Sequence, residues 1–211
     1  MKQFIFFFLM ISLLMSCGNK NESNNKPTID KKSDSTQVVI KTPMTENPYV
    51  SVDVSPMDMT YFPVHYMVTK MESLNMQPPL ARVIYSRPHL QGRHIFHEVL
   101  KYGQPWRLGA NEATELDLYS DATIQGKKIK AGRYVLYCIP QENEWTIVLN
   151  GYIDSWGLKQ ETSKDIAQFT IPITKTNNSI EYFTMVFQGK GKQADLLMAW
   201  DNIEARLPIN F

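Results

Sequence analysis

Cysteine is nearly absent from this 211-residue chain, which has two, Cys17 and Cys138. A framework of several disulfides is therefore excluded, and there is no C-x-x-C pair to serve redox or zinc chemistry. Surplus charge is missing as well: 22 Lys and Arg stand against 21 Asp and Glu, a formal net charge of +1. Nucleic acid and other strongly anionic polymers are thereby excluded as main partners, because binding them draws on excess cations. No apolar run approaches the roughly 20 residues that a membrane-spanning helix needs. Also lacking are a G-x-S-x-G elbow and a G-x-x-x-x-G-K-[ST] loop. Gly189-Lys-Gly-Lys192 is a hairpin turn rather than a phosphate cradle, since no helix follows it.

The longest apolar run, residues 4–15, follows Lys2 and ends in Leu14-Met15-Ser16-Cys17. A basic start, an apolar core and a small residue before the cut are the parts of an export signal. The reading is a lipoprotein signal at 1–16, with Cys17 acylated as the first mature residue. One acyl chain holds weakly and two hold firmly, at about 0.8 kcal/mol per buried methylene. Residues 17–46 are then a lipidated cysteine and a polar tether rich in Asn, Lys, Ser and Thr. Such composition buries too little surface to order itself, and its reach is roughly 30 Å. The expected address is the bacterial cell envelope, with the leaflet left open. The remaining residues, 47–211, are one domain in size. With Cys17 lipidated, Cys138 has no partner and is best kept in the core, inside the apolar run Tyr134-Val-Leu-Tyr-Cys-Ile139.

From residue 49 onward, short β-prone runs alternate with Gly, Pro, Asn and Asp clusters. Nine strands are expected, at 49–54, 80–86, 114–119, 133–139, 144–150, 165–173, 180–188, 194–201 and 203–209. Pro140-Gln-Glu-Asn143 and the segment 126–132 read as reversals. Residues 91–103 space Ile95, Phe96, Val99 and Leu100 for one or two helical turns, and 57–77 is a strand plus a long loop. The expected fold is all-β, an antiparallel sandwich or barrel-like domain with one short helical segment.

Tyr85-Ser-Arg-Pro88, Gly92-Arg93, Tyr102-Gly103 and Trp106-Arg-Leu-Gly-Ala-Asn-Glu-Ala-Thr114 form a distinctive block. Further on come Gly126-Lys127, Ala131-Gly132, Trp156-Gly157 and Trp200. These motifs resemble the secreted bacterial domain-of-unknown-function family 2911, over about residues 80–209. The resemblance implies a predominantly β domain in exported proteins and no established activity. It also implies a basic or hydroxyl residue where His94 stands and glycine where His97 stands, so chemistry at those histidines would be peculiar to this chain.

Within the block, Arg87, Arg93, Arg107, Asn111 and Glu112 fall at strand ends or in loops. Guanidinium forks suit carboxylates, phosphates or sugar hydroxyls; alternatively they pair with loop carbonyls to hold irregular backbone in place. Trp106 and Trp156 lie in loop-like segments, as sugar-stacking platforms or lids over the ends of a sandwich, whereas Trp145 and Trp200 fall in strands and read as core. His94 and His97 are spaced to share one side of a helical turn, a weak metal candidate, with His89 nearby. Glu115 and Asp117 alternate with Leu116 and Leu118, as on a solvated sheet face. No cofactor is implied.

Three functions follow. The first is a non-enzymatic module binding a small polar or anionic ligand or a glycan. The second is an assembly partner of another envelope protein, using a sheet face or residues 57–77. The third is a hydrolase with His94, His97 and Glu112 in acid–base roles.

Overall fold

The computed structural model describes residues 47–211 except Leu74, and of His97 only the backbone. The signal at 1–16, Cys17 and the tether 17–46 lie outside the described residues. The elements in order are β1 (Met57–Phe62), α1 (Tyr66–Glu72), β2 (Ala81–Ser86), β3 (Thr114–Leu118), β4 (Ala122–Ile124), β5 (Lys127–Ile129), β6 (Gly132–Pro140), β7 (Glu144–Asn150), β8 (Asp165–Lys190) and β9 (Gln193–Asn210). All strands join one nine-stranded antiparallel sheet in the order β1-β2-β3-β6-β7-β8-β9-β4-β5.

Two very long strands fold this sheet over. The first part of β8 pairs with β7, from Glu144↔Pro172 to Asn150↔Asp165, and the rest pairs with β9. Register slips between Lys175 and Ile180, and again between Ile180 and Thr184, break the ladder and let the ribbon bend. The sheet then closes on itself: Leu90 N–H donates to the Glu181 carbonyl (3.1 Å) and Phe183 N–H to the Pro88 carbonyl (2.9 Å). Inward residues alternate as the period of two requires, with Phe183, Met185 and Phe187 from β8 facing Leu196, Met198 and Trp200 from β9 into the core.

β6 and β7 are apolar on both faces because both faces are covered. Tyr134, Leu136, Cys138, Trp145, Ile147 and Leu149 enter the main core. Val135, Tyr137, Val148 and Asn150 alternate with them on the opposite face and are also buried. There the segment 151–164 is stitched down: Asn150 donates to the Glu161 carbonyl (2.9 Å) and Gly151 N–H to the Lys164 carbonyl (2.9 Å). Cys138 is fully buried, and burial pushes its thiol well above the usual range, which makes it inert.

The expected strand at 49–54 does not form. Val50, Val52 and Val54 alternate, yet they are exposed and pair with nothing in a ladder, and strand preference is realised only against a neighbour. The runs at 165–173 and 180–188 are one strand, as are those at 194–201 and 203–209. β1 is the strand expected within 57–77, but 66–72 is helical where a loop was expected, and the small β4–β5 hairpin is additional. The turn at 95–99 is a single π-helical one. Glu115 and Asp117 are less solvated than expected. Asp117 lies between Arg82 (2.5 Å) and Arg133 (3.1 Å), and Glu115 is 3.7 Å from Arg133, a ladder across β2, β3 and β6.

Tyr85 locks the closure. Its hydroxyl accepts from Met185 N–H (2.8 Å) and donates to the Met185 carbonyl (3.2 Å). Tyr85→Phe should lower stability by about 1–3 kcal/mol in denaturant titration, because a buried N–H loses its acceptor. Burial, opposed by the bond from Met185, pushes the Tyr85 phenol up to about 12. Burial and the bond to Asp165 also push the Tyr137 phenol up. Unfolded phenols ionise near 10. The stability these groups contribute is therefore full below about pH 10 and is lost as pH rises toward 12. Melting temperature should fall over that window, less steeply in Tyr85→Phe.

Candidate ligand-binding site

Residues 106–113 form an irregular loop that folds on its own polar groups. Trp106 Nε1 donates to the Gly109 carbonyl (3.2 Å) and Thr114 Oγ1 to the Leu108 carbonyl (2.6 Å). Leu108 and Asn111 take left-handed backbone, φ 52° and 56°. A methyl on Gly109 would sit 3.0 Å from the Ser86 carbonyl oxygen, so the loop runs hard against the end of β2. Trp106 therefore points inward. It is only 7% exposed, stacks on Trp200 with centroids 5.6 Å apart, and meets Trp145 and Phe183 edgewise. It is a core residue rather than a stacking platform.

Trp156 is the reverse case. Of the four tryptophans it alone is exposed, at 54%. Arg107 fixes it from below: the guanidinium donates to the Trp156 carbonyl (2.9 Å) and stands 5.7 Å from the indole ring. Burial lowers the Arg107 pKa while Glu112 works the other way, and the group keeps its charge. On one side of this ridge lies a cleft of about 510 Å³ walled by residues 51–54, Asn111, Glu112 and Trp156. Asn111 Nδ2 ties the wall together through Asp53 Oδ2 and the Ser55 carbonyl. A separate groove of about 280 Å³ is lined by Pro105, Trp106, Arg107, Ala110 and Leu158 among others.

The remaining candidates are placed elsewhere. Arg87 donates to the Phe183 carbonyl (3.1 Å) and Thr184 Oγ1 (3.0 Å), pairs with Asp58 (3.4 Å), and covers the Tyr182 ring. Arg93 donates to the carbonyls of Leu90 (2.8 Å) and His89 (3.0 Å). These two hold the closure segment to backbone; neither lines the Trp156 cleft. His89 stacks on Tyr182, centroids 5.1 Å apart. His94 lines a separate cleft of about 440 Å³ with Phe96, Tyr102 and Asp201, while the His97 side chain lies outside the described residues. Among the described residues no group of three or more His, Cys, Asp or Glu is placed to hold a metal ion. His94 and Glu112 line different clefts.

Sequence reasoning missed Asp53, Val52 and Ser51 as cleft wall. Their signal was the alternation Val50-Ser-Val-Asp-Val54, taken for a strand.

The fold and this ridge define a class: a closed antiparallel β domain with an arginine-backed aromatic at one loop-built edge. Over residues 69–209 the sequence matches the family described as "Protein of unknown function (DUF2911)", and the chain belongs to that family. No curated protein and no solved structure matches the chain.

Proposed function

We propose that this chain is a lipid-anchored module of a bacterial cell envelope that binds a glycan and does not transform it. The observation that carries the reading is the exposed Trp156 ring backed by Arg107, with Asn111 and Glu112 on the wall of the same cleft. An indole face receives the C–H face of a sugar ring, while amide and carboxylate groups take its hydroxyls. An anionic ligand fits less well. Of the three arginines only Arg107 reaches the ridge, and Glu112 and Asp53 put carboxylates on the cleft wall. Anchorage rests on the Leu14-Met15-Ser16-Cys17 signal.

Titrating the protein with soluble envelope oligosaccharides should reveal a ligand. Trp156→Ala should weaken it about two- to twelvefold, since such an aromatic contact is worth about 0.5–1.5 kcal/mol. Circular dichroism should be unchanged. Binding that ignores Trp156→Ala would remove this site, and a protein partner lost in Trp156→Ala without any glycan binding would favour assembly instead. Mass spectrometry of the native protein should show cleavage before Cys17 and an acylated sulfur; an intact front end would end the anchored reading.

A further inference from the structure

An amphipathic helix of a globular domain turns its apolar stripe to the core; α1 turns it to solvent. Met67, Val68 and Met71 are 51%, 57% and 86% exposed. On a helix they fall within about 100° of the circumference, with Lys70 on one flank and Glu72 on the other. Tyr66, on the opposite side, is the buried residue of α1. It stacks on Tyr61 of β1, centroids 5.7 Å apart, which fixes the helix with its stripe outward.

The surroundings extend this face. The Tyr61 hydroxyl donates to the sulfur of Met59 (3.5 Å), itself 49% exposed. Tyr61, Tyr66, Met67, Lys70 and Tyr119 line a cleft of about 410 Å³ whose wall, among the described residues, holds no carboxylate. The Lys70 ammonium stands 5.8 Å from the Tyr66 ring. Projecting apolar side chains, tyrosines behind them and a lysine beside them are the parts of a face that lies in a membrane interface. The apolar stripe enters the acyl boundary, the phenols stay at headgroup level and the ammonium meets anionic headgroups.

What covers the face follows from how the chain is attached. With Cys17 acylated, residues 18–46 are a polar leash with roughly 30 Å of reach. A tethered surface is then present at an effective concentration that a free partner does not match, and a few inserted side chains suffice to hold it.

We infer that the β1–α1 face docks on the bilayer that holds the anchor, with Met67, Val68 and Met71 inserted and Lys70 on anionic headgroups. The inference rests on the anchored reading of Cys17 and not on glycan binding, since the face shares no residue with the Trp156 cleft.

The test uses the chain from Cys17 to Phe211, coupled through Cys17 to a maleimide lipid in vesicles of phosphatidylethanolamine and phosphatidylglycerol. Cys138 is fully buried and stays unreacted. Hydrogen exchange read by mass spectrometry compares this with the same chain capped by a soluble maleimide. A helix of two turns frays and exchanges quickly unless it is covered. On vesicles the amides of 66–73 should therefore slow severalfold, while those of 156–158 should not change. M67Q/V68Q/M71Q should lose the protection, since glutamine keeps helix propensity and removes the apolar stripe. Lys70→Glu should weaken protection on these vesicles and leave it unaltered on phosphatidylcholine alone, a readout that does not depend on the triple variant folding. Unchanged exchange at 66–73, protection equal to the parent's in the glutamine variant, or equal slowing at 156–158 would each overturn the docking. Protection that appears only with an added envelope protein, never with lipid, would overturn it in favour of a protein interface. An unmodified front end in the native protein would remove the anchored reading and the docking together, whereas an acylated native protein without vesicle protection would remove the docking alone.

Discussion

Trp106→Ala should lower the free energy of unfolding by about 3–5 kcal/mol, the usual cost of removing a large aromatic from a packed core. The side chain touches Trp200, Trp145 and Phe183 at once, so truncation leaves a void between both halves of the folded-over sheet. The Gly109 carbonyl loses its indole donor in the same step. Relaxation is limited because the Trp106 backbone is pinned on both sides: its N–H and carbonyl each bond to Cys138 at 2.7 Å. For a domain of this size the loss is a fall in melting temperature of roughly 6–20 °C. Denaturant unfolding followed by circular dichroism checks it, and Trp106→Phe should recover part of the loss. A shift below 1 kcal/mol would mean that the residue lies at the surface, contrary to the core assigned to it.

Gly157→Ala should be the most damaging small substitution near the candidate site. Gly157 has φ +73°, where an L side chain is strained by about 1–2 kcal/mol. The added methyl would also stand 2.9 Å from Ala113 Cβ and 3.0 Å from Arg107 Cβ. Overpacking of that kind costs about 1–3 kcal/mol, so a total of roughly 2–5 kcal/mol is expected. The irregular segment can escape only by lifting off Ala113 and Arg107, which breaks the bond from Arg107 to the Trp156 carbonyl and releases the indole. Stability and Trp156-dependent glycan affinity should therefore fall together. Leu158→Ala, at a side chain 75% exposed, is the matched control and should change stability by less than about 0.5 kcal/mol. Equal effects at 157 and 158 would show that the ridge is not held as described.

How far the site was legible follows from the same residues. Arg107, Trp106 and Trp156 stood out as loop residues of unusual type, but loop position alone does not say which aromatic points in. The ladder of Trp106 with Cys138 turns one indole to the core, and the Arg107 bond to a carbonyl 49 residues along the chain turns the other to solvent. Arg87 and Arg93 read the same in sequence, yet their partners are carbonyls on β8 and in the closure segment.

By itself the sequence determined the strand-rich class, the positions of β2, β3, β6 and β7, the hairpin at 140–143 and the burial of Cys138, Trp145 and Trp200. These follow from a period of two, from turn residues and from apolar runs, all of which are local. Tertiary structure alone decided that 165–190 and 193–210 are each continuous, that three alternating valines at 50–54 find no partner, and that 66–72 is helical. A strand is made by its neighbour: whether a β-prone run is paired, bent or left bare depends on backbone groups distant in the chain, which no local pattern records.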